Sequence, residues 1–405
     1  MRQVTGLTST YSSDVFGVCS ALYELGGMIV MHDASGCNST YTTHDEPRWY
    51  DMDSMIYISA ISEKEAILGD DDKFIGDLLE TAEKLQPKFI ALVDAPIPYM
   101  IGTDLSAIAR IVQNRTGIPG FAFYANGMHD YTLGVSKALE EIVRAYAGAQ
   151  PGSLYEAGQQ KPHGRSNPVS ATGQDAGLAV NLLGATPLDF SVNGNVEAMQ
   201  RWVADHGMRN GTCLAMGCAL EDIARLPDAQ VNLVVSAGGL AAAKWLQERF
   251  GTPYVIGVPY GEDFSEALAE TVRRAASHPD DSKEGIIAYR GDLLEENSRW
   301  ELSRVIIGEA VTAASLAVAI EMECGIHVRV LCPLESGAEL LRPDDAATPE
   351  EDDVVREIAK AGAVIADPLY RPLCAGKTFY PLPHTAFSGR IYEKEMPNLI
   401  ARKLS

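Results

Sequence analysis

The chain has 405 residues, 46% of them hydrophobic, and a formal net charge of −22. That length predicts two or three domains, and the acidic balance excludes a nucleic-acid backbone as partner, because phosphate binding needs clustered Lys and Arg. No apolar run approaches the ~20 residues of a membrane span. MRQVTGLTST lacks a signal-peptide core, so no membrane contact and a cytoplasmic location are expected.

The seven cysteines are scattered with no CxxC, which argues against a disulfide framework or a zinc finger. Val15, Val18, Cys19, Leu22 and Leu25 recur at helical spacing, so Cys19 sits on the apolar face of a short helix. There it is either a core thiol or a ligand turned toward the same place as Cys37. Residues 28–31, MIVM, have the length and composition of a buried strand. They break into His32-Asp33-Ala34-Ser35-Gly36-Cys37, a polar turn of small residues. In an open α/β sheet the loop leaving the carboxyl end of a strand is where ligands bind. Cys37, with Gly36 allowing close backbone approach, is placed to ligate a metal or cluster; otherwise it is a small thiol filling a turn.

A second strand is predicted over 55–60 and an acidic helix start at 70–72. The stripe Phe74, Leu78, Ala82, Leu85 ends at Pro87, and 89–93 is the next strand. A strand over 120–124 and a helix over 134–147 close a first domain, 1–150. Residues 151–179 read as a linker rich in Gly, Ser, Gln, Asn and Pro. The second domain, 180–284, opens with a strand at 180–184 and a helix over 194–207. Strands follow at 212–216 and 232–236, and Ala237-Gly238-Gly239 leads into a helix through Arg249. Cys213 and Cys218 read as buried thiols. Residues 284–289 are an added strand or a linker. The third domain, 285–405, carries a strand at 304–308, a helix over 311–324, and strands at 327–332 and 364–366. His384 follows a further strand; it is either a ligand or acid/base at a cleft or a loop histidine bonded to backbone. No GxxxxGK(S/T) occurs, so ATP binding is not expected of this chain.

Several of these segments, in order, resemble the nitrogenase component 1 superfamily. They are the strand followed by His32-Asp33-x-x-Gly36-Cys37, the Val180-Asn181-Leu182-Leu183-Gly184 opening, and His384-x-x-x-Ser388-Gly389 near the end. That superfamily includes the catalytic nitrogenase subunits, cofactor scaffolds, dark-operative protochlorophyllide reductase subunits and the nickel-tetrapyrrole reductive cyclase. The resemblance implies an α/β protein of three Rossmann-like domains, with parallel sheets flanked by helices. It implies an oxidoreductase subunit that receives electrons from an ATP-binding iron protein resembling nitrogenase reductase. It implies an iron-sulfur cluster of the 4Fe–4S type at a subunit interface, ligated by Cys37 and, second, by Cys19. The interface partner would be a second copy or a sister subunit. His384 matches a cofactor-ligand position and is the candidate catalytic residue of the substrate pocket.

The departures are as informative. Asp94-Ala95-Pro96 stands where family members carry Cys-Pro, so Ala95 cannot ligate; Asp94 is either an oxygen ligand or a turn carboxylate. The family's first cluster cysteine falls near Tyr11 or Ser12 rather than at Cys19. Ser236-Ala237-Gly238-Gly239 stands where nitrogenase anchors its molybdenum cofactor by a cysteine. Dinitrogen is therefore not the expected substrate, and the small residues at 236–239 are expected to leave room for an organic or metallated one. A tetrapyrrole-reducing enzyme and a non-catalytic scaffold for cluster or cofactor assembly are the alternatives.

Overall fold

A computed structural model describes residues 12–34, 37–39, 41, 46–149, 177–279, 284–290 and 304–404. The linker expected over 151–179 therefore lies almost wholly outside the described residues.

The first sheet is built from β1 (Met28–Met31), β2 (Ile56–Ile58), β3 (Ile90–Val93) and β4 (Gly120–Phe123). With it go α1 (Asp14–Leu22), α2 (Glu63–Leu68), α3 (Asp72–Leu85), α4 (Pro96–Ile101), α5 (Leu105–Thr116) and α6 (Tyr131–Tyr146). The second sheet has β5 (Ala179–Ala185), β6 (Arg209–Ala215), β7 (Val231–Val234), β8 (Tyr254–Ile256) and β9 (Ile286–Ile287). Its helices are α7 (Pro187–Phe190), α8 (Asn195–Asp205), α9 (Leu220–Ile223), α10 (Leu240–Phe250) and α11 (Asp263–Ser277). The third has β10 (Arg304–Ile307), β11 (Arg329–Cys332), β12 (Ala346–Ala347), β13 (Ala363–Ala366) and β14 (Thr378–Pro381). Its helices are α12 (Ala310–Cys324), α13 (Glu351–Lys360) and α14 (Thr385–Ser388).

Every pairing within the three sheets is parallel. The orders are β2-β1-β3-β4, β6-β5-β7-β8-β9 and β12-β11-β10-β13-β14. Each sheet is thus doubly wound, with its order reversing beside its first strand, and a crevice opens at the carboxyl ends of that reversal. The strands are apolar along most of their length because parallel sheets are covered on both faces.

Helix α1 is buried on every side, so its apolar spacing understates its burial. It crosses α6 where two glycines meet backbone. A Cβ on Gly17 would collide with Tyr131 O, and one on Gly134 with Asp14 O. Helix α6 in turn packs against α10 and the 3-10 turn at Ala237–Gly239, tying the first sheet to the second.

Residues 284–289 resolve as an edge strand, since β9 pairs with β8 and so extends the second sheet to Ile287. Helices α2, α4, α5, α7, α9, α11, α13 and α14 go beyond the expectation from sequence. In α2 a capping box joins Ser62 and Glu65, and Gly69 closes it in a left-handed conformation. Pro96 starts α4 in a segment whose sequence reads as a loop. Asp104 caps α5 by accepting from Ala107 N at 2.9 Å. Helix α13 has three acids in its first turn and Lys360 in its last, matching its dipole.

Candidate functional site

The first reversal lies between β1 and β3. Beyond β1, His32 is buried, stacked on Phe74 at 4.2 Å, with Nδ1 2.8 Å from Ser59 Oγ. Burial lowers its pKa to about 4, so it is neutral near pH 7. Cys37 opens a 3-10 turn, Cys37–Ser39, and its side chain lies outside the described residues. The turn is tied back by Asn38 Nδ2, which donates to Asp33 Oδ2 at 2.8 Å.

The far side of this loop is anchored by a buried ion pair. Arg48 Nε donates to Glu46 Oε1 at 2.7 Å, and Arg48 also reaches Glu24 Oε1 and Ser20 O, each at 2.8 Å. Ser20 Oγ and Tyr41 OH donate to Glu46 Oε2. Both charges are compensated on all sides, as buried charges must be. Cys19 lies in this packing with no exposed surface. Burial first, and the Glu46 carboxylate second, push its thiol far up, so it stays protonated. Cys213 and Cys218 are buried as expected.

Beyond β3, Ala95 is fully buried and Asp94 is 1% exposed. Burial raises the Asp94 carboxyl to about 6, with Asp14 adding to the rise. Asp14 in turn accepts from Gly127 N at 2.8 Å and Asn126 N at 3.1 Å. The next helix, α4, is the opposite of buried. Ile97, Tyr99, Met100 and Ile101 stand 41%, 51%, 76% and 46% exposed, an apolar face beside the loops of the β1–β3 crevice.

The other two reversals meet. Asp189 follows β5, Ala237 follows β7, Glu309 follows β10 and Asp367 follows β13. Glu309 has no exposed surface; its Oε1 accepts from Ala237 N at 3.0 Å, while Oε2 accepts from Val311 N and Thr312 N at the start of α12. It therefore caps a third-sheet helix and clasps a second-sheet turn at once. Burial, then the Asp189 charge, raise it to about 7. Asp189 is 2% exposed and accepts a short hydrogen bond from Tyr131 OH through Oδ1. His384 caps α14 with its backbone; its N donates to Asp367 Oδ2 at 2.9 Å, which also accepts from Ser388 Oγ at 2.7 Å. The imidazole stacks on Phe387 at 4.6 Å and brings Nε2 within 3.4 Å of Asp189 Oδ1.

His384, Asp189, Tyr260 and Thr312 line a cavity of about 40 Å³ walled by Ile306, Leu316, Leu382 and Leu399. That is room for a few waters at most. Beside 236–239 the glycine side is filled, while Ala237 borders, with Leu240, Lys244, Glu335 and Gly337, a pocket of about 240 Å³. A Cβ on Gly238 would lie 2.5 Å from Val135 Cγ1, and one on Gly184 would lie 2.8 Å from Gly239 N. Ser236 Oγ donates to Gly184 O at 3.0 Å. Gly184, Gly238 and Gly239 are thus the points where backbone and Val135 come too close for a side chain.

Sequence reasoning finds His384 and misses Asp189, Glu309, Asp367 and Tyr131. A usable signal is present for three of them, since each of those acids follows the carboxyl end of a strand beside a reversal. Tyr131 carries no such mark; its partner Asp189 is 58 residues away.

Comparison with known proteins accords with this architecture. Residues 13–360 match the family described as nitrogenase component 1 type oxidoreductase. A light-independent protochlorophyllide reductase chain from Nostoc punctiforme is 24% identical over 281 residues, covering 64% of this chain and 51% of that protein. The corresponding chain of Halorhodospira halophila is 27% identical over 265 residues, covering 61% and 42%. The chain thus spans about half the length of these relatives. The solved structure "Nitrogenase Cp1 at pH 5" superposes with a TM-score of 0.61 at 14% identity, covering 94% of this chain and 84% of that one. Among the described residues no helix is long and apolar enough to cross a membrane. With a family match running through all three sheets, the chain belongs to the nitrogenase component 1 type oxidoreductases.

Proposed function

We propose that this chain is a component 1 oxidoreductase subunit that reduces a substrate other than dinitrogen. Electrons would come from an ATP-hydrolysing iron protein, through an iron-sulfur cluster held in part by Cys37 at a subunit interface. The substrate pocket would include His384. Location in the cytoplasm goes with this reading.

One chain does not offer the four thiolates of a 4Fe–4S cluster. Ala95 has no ligating atom, Cys19 is buried within α1, and Cys37 stands in the loop after β1. The remaining ligands would come from a second copy or a sister subunit across a two-fold or pseudo-two-fold axis. The observation that carries this is the exposed apolar face of α4, which follows β3, the strand paired with β1, and where a partner would be expected to sit. The bound cluster would supply one-electron storage, and this chain's contribution is to hold the loop through Asn38 and the Glu46–Arg48 pair.

The absence of a cysteine at 236–239 supports a substrate other than dinitrogen, because a serine hydroxyl is a poor ligand for soft iron-sulfur chemistry. The kinship with protochlorophyllide reductase chains keeps a tetrapyrrole-type substrate in view. A cavity of about 40 Å³ requires that such a ligand open the junction or lie elsewhere. Turnover with the cognate iron protein and ATP separates enzyme from assembly scaffold. The deciding experiment is anaerobic purification of the chain and of Cys37→Ser. Iron per chain should fall strongly in the variant while the fold persists; unchanged iron removes the reading.

A further inference from the structure

Both ring nitrogens of His384 are buried, and neither has a hydrogen-bond partner among the described residues. Asp189 Oδ2 is likewise without one. Yet Nε2 stands 3.4 Å from Asp189 Oδ1, and the pair lines one cavity. Asp189 is fixed from the other side by Tyr131, itself fully buried on α6. The His384 ring is held flat by Phe387, and its backbone is pinned by Asp367. The three side chains come from all three sheets' territories, so their approach is a product of the assembled fold.

We propose that Asp189 is a positioning residue for His384. It takes the proton on Nε2 and leaves Nδ1 as the ring's bare nitrogen. The reverse arrangement would set the Nε2 lone pair against carboxylate lone pairs inside a buried site, which nothing there compensates. The 3.4 Å separation closes to a hydrogen bond with a shift of roughly 0.5 Å, as unliganded catalytic pairs commonly do. Tyr131 occupies the same carboxylate oxygen and keeps Asp189 from turning away. A bare Nδ1 can only accept. The pocket therefore selects at that atom a substrate group that offers an N–H or O–H hydrogen, or an electron-pair acceptor, and it rejects a carbonyl or carboxylate oxygen.

This inference rests on the reading of His384 as a pocket residue, but its test needs neither cluster nor turnover. The full-length chain, labelled with ¹⁵N-histidine, is followed by long-range ¹H–¹⁵N correlation from pH 5 to 9, with His384→Gln identifying the signal. In the neutral His384 ring the proton should sit on Nε2 and Nδ1 should be bare. The preference should exceed about tenfold, the factor a charge-assisted hydrogen bond supplies. Asp189→Asn should reduce that preference several-fold, and Asp189→Glu should restore part of it. Tyr131→Phe, which frees Asp189 to turn, should reduce the preference too, by less than Asp189→Asn. A wild-type ring that carries its proton on Nδ1, or keeps both protons to pH 9, overturns the proposal whether or not the variants fold. So does an Asp189→Asn protein with the wild-type preference. Iron content in the same samples reports on Cys37 separately, so the two readings fail independently.

Discussion

The corner that carries Cys37 and the junction that carries His384 occupy the same topological position, the carboxyl ends of strands at a sheet reversal, and they are finished in opposite ways. The Cys37 corner is anchored from behind by a fully compensated ion pair and turns an apolar helix face outward. The His384 junction is sealed by glycine contacts and filled with acids, Asp189, Glu309 and Asp367, held by backbone amides and neighbouring hydroxyls. The difference teaches that a reversal specifies an address and leaves the use of that address to the side chains. One corner leaves an apolar helix face uncovered, and the other encloses a small volume.

The largest test acts on the anchor. Arg48→Met leaves Glu46 charged in the core and should cost about 3–5 kcal/mol in urea unfolding. A loss below about 1 kcal/mol would mean the ion pair does not hold the corner together, since that is the range of a surface pair. Next comes the seal. Gly239→Ala drives a methyl group into Leu183 O and should cost roughly 1–3 kcal/mol. A neutral result would show that the contact of Gly239 with Leu183 O does not hold the junction closed.

The third test concerns pH. Glu309 and Asp94 are carboxyls raised in the folded chain, to about 7 and about 6. Between their ordinary range and those values the folded state holds protons that the unfolded state has released. Their contribution therefore weakens stability as pH rises from about 4.5 to 7 and is constant above. Glu309→Gln should flatten that part of the curve, measured by denaturant midpoint; a slope as steep as wild type would show that Glu309 is ionised throughout. The smallest effect belongs to the outer face. Met100→Glu, at a residue 76% exposed, should change unfolding free energy by under about 0.5 kcal/mol. With the proposed interface on this face, it should nonetheless lower the mass seen by light scattering toward that of a monomer. A Met100→Glu protein that keeps the wild-type mass would detach α4 from the interface.

The contrast also explains what can be read in the sequence. Strands such as MIVM and VNLLG are apolar runs whose identity survives any tertiary context, and Cys37 is marked by lying just past one. The order of strands follows from short right-handed crossovers. Space is different. Gly238 and Gly239 look the same in sequence whether the volume beside them is empty or filled by Val135 and Leu183, residues about 100 and 56 positions away. The α4 segment reads as a loop because two prolines obscure it, although Pro96 sits at a position where helices begin. The acids around His384 are each visible, but their convergence depends on three sheets being placed against one another.

The crossing of α1 over α6 sets an order of events during synthesis. Asp14 N donates to His129 O, and Gly17 rests on Tyr131 O, so the α6 side of the first helix stays uncovered until more than a hundred further residues have left the ribosome. Ser12 N waits longer still, because its acceptor is Ala386 O. Meanwhile α1 is a free segment of nine residues, apolar enough to be buried throughout and too short to hold a helix in water. The nascent chain therefore carries an exposed sticky segment while the first sheet is being made, and holdase chaperones have their clearest target there.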